Sequence, residues 1–137
     1  MDLADFQTIS TTSLAFASSA GVLDVGDEVD WEPDHLARSA WLEHVPFAFW
    51  IVKALRPSCI VELGTERGVS YAALCQAVDR LNLGARCYAV DTWRGDAHAG
   101  SYDEGVYHAV ATLNARRYAR FSTLLRMTFT EAATQFA

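Results

Sequence analysis

Two acids and two glycines stand at positions where their chemistry would converge. Glu62 lies near the end of the apolar, β-branched run Cys59-Ile60-Val61-Glu62-Leu63, Gly64 follows that run, and Gly68 opens a stretch of helical periodicity. A glycine just after a strand lets the chain turn sharply and lets a ligand approach the backbone, where a Cβ would collide. Gly68 permits close packing of a helix on a strand, and the helix start presents free N–H groups. Glu62 sets a charge at the carboxyl end of a central strand, facing the crevice where open α/β sheets bind ligands. Asp91 ends a second run, Arg86-Cys87-Tyr88-Ala89-Val90. It follows Gly68 by roughly 20 residues, a spacing that suits an acid accepting hydrogen bonds from ribose hydroxyls. Together these features predict an adenosine-containing ligand.

The charges narrow the choice of ligand. A nicotinamide dinucleotide calls for G-x-G-x-x-G, whose middle glycine admits the pyrophosphate. Here Glu66 stands two residues after Gly64, and a carboxylate beside a diphosphate in a partly dry cleft is costly. No G-K-[ST] follows the glycines, which excludes a P-loop. S-adenosylmethionine carries an ammonium and a sulfonium where a dinucleotide carries its pyrophosphate, and Glu62 suits that cationic portion. The pattern favours S-adenosylmethionine over NAD. Trp93 offers a ring that could stack on adenine or anchor its loop on the sheet, and both readings stay open. Asp96 and His98 form a D-x-H able to touch a metal or act as a base. With no third ligand in view, a solvated loop is the favoured reading and no metal site is expected; His98 is the candidate general base.

The elements that must position these residues follow from periodicity. Asp34 is an expected N-cap, and Leu36, Ala40, Trp41, Val45, Ala48, Phe49, Val52 and Leu55 recur at helical spacing. Pro46 should kink or divide this helix, and Pro57 should end it. Cys59 to Leu63 reads as a buried strand, Gly68 to Leu81 as a helix, and Arg86 to Val90 as a second strand. A loop over Thr92–Gly100 and a helix from Tyr102 to about Tyr118 come next, with Tyr102, Tyr107 and Tyr118 as packing residues. Phe121 to Met127 reads as a third strand, and Thr130 to Phe136 as the start of another helix. This alternation predicts an α/β, Rossmann-like, doubly wound parallel sheet of about three strands, preceded by a helix, over residues 31–137. Residues 1–30 read as a loosely structured lead with a short helix near Thr12–Ala20.

Composition excludes several partners. Among 137 residues, 11 basic against 17 acidic side chains give a net charge of −6, and no basic stripe suits a nucleic acid. No apolar run approaches the roughly 20 residues of a membrane span, and the N-terminus lacks a secretory leader pattern. A cytoplasmic address follows. The three cysteines, Cys59, Cys75 and Cys87, read as buried thiols of a reducing compartment.

The stretch Val61-Glu62-Leu63-Gly64-Thr65-Glu66-Arg67-Gly68-Val69-Ser70 resembles motif I of class I S-adenosylmethionine-dependent methyltransferases. It is nearest to the E-x-G-x-x-x-G-x-S branch of small-molecule O-methyltransferases of the catechol type. Tyr88-Ala89-Val90-Asp91-Thr92-Trp93-Arg94-Gly95-Asp96-Ala97-His98-Ala99-Gly100 is similar to a bacterial subgroup often encoded with glycan-modifying enzymes. The resemblance implies that Glu62, Gly64, Thr65 and Gly68 line the methionine side of the pocket, with Glu66 beside them. It implies that Asp91 holds the ribose while Thr92 and Trp93 lie beside the adenosine. The implied reaction is in-line transfer of the sulfonium methyl group to a nucleophile, an oxygen of a small molecule or glycan. The family continues with a fourth strand ending in an acid near the acceptor, then three more. The chain stops at Ala137, so the expectation is a cofactor-binding half, truncated before that strand and carrying no transferable metal ligands. Methyl transfer by this half alone is not implied. The open edge of its third strand invites pairing with another copy. A non-catalytic binding or interaction module and an NAD-type nucleotide binder remain as alternatives.

Overall fold

The computed structural model of the chain describes residues 25–96 and 100–136. The helix expected near Thr12–Ala20, most of the lead, and His98 lie outside the described residues. Two 3-10 turns, Asp27–Asp30 and Leu42–His44, precede helix α1 (Val45–Leu55). There follow β1 (Cys59–Leu63), α2 (Val69–Arg80), β2 (Arg86–Asp91), the short β3 (Gly95–Asp96) and β4 (Gly100–Ser101), α3 (Glu104–Arg117), β5 (Ser122–Arg126) and α4 (Phe129–Ala133).

β1, β2 and β5 form one parallel sheet in the order β1-β2-β5. The helical crossovers and parallel pairing make this a partial Rossmann-like α/β fold, as the alternation of elements predicted. In register, Glu62 lies beside Ala89 and Asp91 beside Arg126, so the strands end together and their following loops share one rim. β3 and β4 pair as a small antiparallel hairpin inside the stretch expected to be plain loop.

The core lies on one face of the sheet. Cys87 and Ala89 of β2 meet Phe49 and Val52 of α1, Ala72 and Cys75 of α2, and Val110 of α3. Small side chains on β2 let the helices approach closely, and burying Phe49 and Val52 contributes about 1.5–3 kcal/mol each. On the opposite face, Val61, Leu63, Tyr88 and Val90 alternate with those core residues. α4, through Ala132, and Phe136 beyond it, through an edge-on contact with Tyr88 at 5.1 Å, cover part of that face.

Five expectations need correction. β1 is an edge strand of this sheet, not a central buried one: Leu63 is 58% exposed, because among the described residues only β2 has strands on both sides. The helix before β1 begins at Val45, so Pro46 does not kink it but sits in its first turn, where a missing N–H removes no hydrogen bond. Leu36, Trp41 and Leu55 of the expected helical stripe are exposed. Asp34 caps no helix; its backbone N–H donates to Gln76 Oε1 at 2.7 Å, and its carboxylate receives the Tyr118 hydroxyl at 3.1 Å and pairs with Arg117 at 3.0 Å. Of the three free cysteines, Cys75 and Cys87 are buried but Cys59 is exposed. The left-handed Arg56 does end α1 just before Pro57, as expected. No helix of the described residues is long and apolar enough to cross a membrane.

Candidate active site

The loops after β1, β2 and β5 meet over the carboxyl ends of the sheet and enclose a cavity of about 450 Å³. Gly64 and Glu66 come to its wall from the first loop, Asp91 and Thr92 from the second, and Thr128 and Phe129 from the third; Gly95 and Tyr102 complete it. Its size suits a nucleoside-sized ligand, and its place is the one that open parallel sheets reserve for ligands.

Asp91 organises the rim. Its Oδ2 accepts the backbone N–H groups of Thr65 and Glu66, each at 2.9 Å, and its Oδ1 accepts the N–H of Trp93 at 2.7 Å. Trp93 in turn donates from Nε1 to the Glu66 carbonyl at 2.9 Å. The loops after β1 and β2 are therefore tied by side chain and backbone in both directions. A carboxylate offers about four lone-pair sites, and three of them at Asp91 are already engaged.

That tie holds a loop whose backbone is costly for ordinary residues: Gly64 (φ 84°), Glu66 (φ 50°) and Gly68 (φ 77°) all lie in the left-handed region. The two glycines answer different demands. A Cβ on Gly68 would stand 3.3 Å from Val110 Cγ2, so the close neighbour is helix α3, where the sequence suggested a strand. A Cβ on Gly64 would meet only Phe129 Cζ at 3.8 Å. Its protein surroundings are open, and its backbone borders the cavity.

Glu62 stands behind this wall, not on it. Ser70, in the first turn of α2, donates from Oγ to Glu62 Oε1 at 2.5 Å. Glu62 Oε2 and Thr65 Oγ1 are buried with no hydrogen-bond partner, an arrangement that is costly unless a donor arrives. Burial pushes the Glu62 carboxyl above its ordinary range and the charge of Asp91 adds to this; the Ser70 and Thr65 hydroxyls oppose it, Thr65 from outside hydrogen-bonding geometry.

Glu62, Gly64, Thr65, Glu66, Gly68, Asp91 and Thr92 thus gather around one rim, with Thr65 only 3% exposed beneath it. Trp93 is 1% exposed and its ring packs on Tyr107 at 5.1 Å, so the anchoring role holds and its face is closed to an adenine. The side chain of Asp96, like His98, lies outside the described residues, and among the described residues no three His, Cys, Asp or Glu are grouped to hold a metal ion. Tyr102, expected to pack within a helix, precedes α3 and lines the cavity. Thr128 and Phe129 were missed, although the rule that ligands sit beyond strand ends points to the residues after β5. Ser70 was within reach too, as the last residue of the glycine motif.

A family model described as a methyltransferase domain matches residues 61–137. Among curated proteins, the chain is 60% identical over 94 residues to "Uncharacterized protein y4gI" of Sinorhizobium fredii, an alignment covering 69% of this chain and 10% of that relative. The matched part therefore spans about a tenth of the relative's length. No solved structure matches.

Proposed function

Since the chain belongs to the class I S-adenosylmethionine-dependent methyltransferases through their methyltransferase domain, we propose that it is the cofactor-binding half of such an enzyme and serves methyl transfer to an oxygen of a small-molecule or glycan acceptor. The observation that carries the cofactor reading is the charge around the cavity. Glu66 and Asp91 lie on its wall, and behind it Glu62 Oε2 is buried without a donor. Such surroundings favour a cationic ammonium and sulfonium and oppose a diphosphate.

The residues fit that ligand. Glu62, Gly64, Thr65, Glu66 and Gly68 would hold its methionine portion, with the orphaned oxygen of Glu62 ready to accept from a charged donor. Asp91, with one lone-pair site left, would accept from a single ribose hydroxyl where the sequence suggested two. Thr92, Tyr102 and Phe129 would border the nucleoside. S-adenosylmethionine, when bound, supplies an electrophilic methyl group. The chain's own contribution is to fix orientation through a rigid rim and to place charge before the reaction begins. His98 stays the candidate for taking the acceptor's proton.

Isothermal titration with S-adenosylhomocysteine, S-adenosylmethionine and NAD tests this reading. Binding of the two sulfur nucleosides without NAD is expected. Binding of NAD alone would replace the assignment with a dinucleotide site, and binding of none would leave an interaction module.

A further inference from the structure

A second cavity, of about 560 Å³, adjoins the first and shares Glu66 and Tyr102 with it. Its remaining polar wall comes from Arg38, Ser39, Arg67 and Ser101. His35 donates from Nε2 to the Arg67 carbonyl at 2.8 Å, which pins the segment carrying Arg38 and Ser39 against the loop carrying Arg67. Two guanidinium groups and one carboxylate, that of Glu66, therefore border one hollow, giving it a net positive lining in a protein of net charge −6.

Neither of these two cations has a strong acidic partner among the described residues. Arg117, Arg120 and Arg126 are each paired with an acid, Asp34, Asp79 and Glu104 respectively. Arg38 makes no ion pair among the described residues, and Arg67 reaches only its neighbour Glu66, at 3.8 Å with both side chains 44% exposed, a contact of little strength. Guanidinium groups bind phosphate and carboxylate through paired N–H donors, and the hydroxyls of Ser39, Ser101 and Tyr102 suit a ligand rich in hydroxyls. Resting on the cofactor reading above, we propose that this cavity is the acceptor site and takes a sugar bearing an anionic group, phosphate or carboxylate, held by Arg38 and Arg67. The shared wall at Glu66 and Tyr102 puts such an acceptor next to the cofactor cavity.

Titration of the full chain, first with S-adenosylhomocysteine and then of the saturated protein with glucose 6-phosphate, glucuronate, glucose and inorganic phosphate, tests the proposal. At least one charged sugar should bind at least about tenfold more tightly than glucose and than inorganic phosphate, and the stronger of the two identifies the anion. Arg38→Ala and Arg67→Ala should each remove about tenfold of that affinity while S-adenosylhomocysteine binding stays within about twofold. Thermal melting confirms that each variant is folded, and Arg38→Lys, keeping charge without the fork, should recover only part of the loss. No binding of either charged sugar, equal binding of glucose, or equal binding of bare phosphate overturns the proposal. So does a matching loss of S-adenosylhomocysteine affinity in Arg38→Ala, which would assign the arginines to the cofactor. Failure of S-adenosylhomocysteine to bind the unaltered chain is a separate result and strikes the cofactor reading instead.

Discussion

Asp91 Oδ2 accepts the backbone N–H of Glu66 at 2.9 Å, so the acid that ends β2 also sets the conformation of the loop that follows β1. The same oxygen holds the N–H of Thr65 and the other oxygen that of Trp93. The wall of the cavity and the order of the loop therefore meet in one side chain.

Asp91→Ala leaves those three N–H groups without their acceptor. S-adenosylhomocysteine affinity should fall at least about tenfold, and the melting temperature should fall as well, by roughly 5 °C or more. Asp91→Asn, which keeps one carbonyl oxygen, should lose less in both. Calorimetric titration and thermal melting of the two variants check this; an unchanged affinity in Asp91→Ala would remove the acid from the site.

Glu62→Gln separates stability from binding. Because burial raises the folded-state pKa of Glu62, its carboxyl contributes fully to stability while protonated, and that contribution is lost as pH rises through the raised value. An uncharged amide carries no such loss. The variant should melt about 2–5 °C above the unaltered protein at pH 8, and the gap should close below the ordinary carboxylate range. S-adenosylhomocysteine binding should weaken at least about tenfold at the same time, since the orphaned acceptor for a cation is gone. Melting curves at several pH values, paired with titration, read both effects.

Gly64→Ala and Gly68→Ala share the penalty of a left-handed backbone but differ in surroundings. Each should lose about 1 kcal/mol from strain. Gly68→Ala should lose a further 1 kcal/mol or so through its contact with Val110. Only Gly64→Ala should reduce ligand affinity out of proportion to its stability, because its new methyl group enters the space beside the cavity. Denaturant unfolding and S-adenosylhomocysteine titration distinguish the two.

Lys53 Nζ pairs with the buried carboxylate of Glu28 at 2.7 Å. Burial pushes Glu28 upward, but Lys53 and the backbone N–H groups of Glu28 and Gly26 outweigh it and hold the carboxyl below its ordinary value. The pair's contribution is present at neutral pH and is lost as pH falls through that lowered value. Lys53→Met should melt lower than the unaltered protein at pH 7, with the difference shrinking at acidic pH. Equal melting at pH 7 would deny the pair any structural role.

Much of this arrangement could be read from residue order. The β-branched run ending at Leu63, the glycines at positions 64 and 68, and the acid after Val90 gave the strand ends and their shared rim, because backbone freedom and strand pattern are local properties. What failed depended on tertiary surroundings. Leu36 and Trp41 keep helical spacing, yet no neighbour buries them, so periodicity extended α1 too far. Pro46 signals a helix start as readily as a kink, and only the position of Val45 decides between them. The loop-holding role of Asp91, the burial of Trp93, and the arrival of Tyr102 and Phe129 at the cavity all arise from contacts between segments distant in sequence.

The lateral position of β1 sets the pace at which the backbone would give up its protons to deuterated solvent. Gly64 donates to Val90 and Ser58 accepts from Arg86, so alternation turns the amides of Ile60 and Glu62 inward and those of Val61 and Leu63 outward. β2, clasped on both flanks, should retain its hydrogens longest, and the outward amides of β1 should exchange early. β1, which bears Glu62, is thus with the other edge strand, β5, among the first parts of the sheet to loosen.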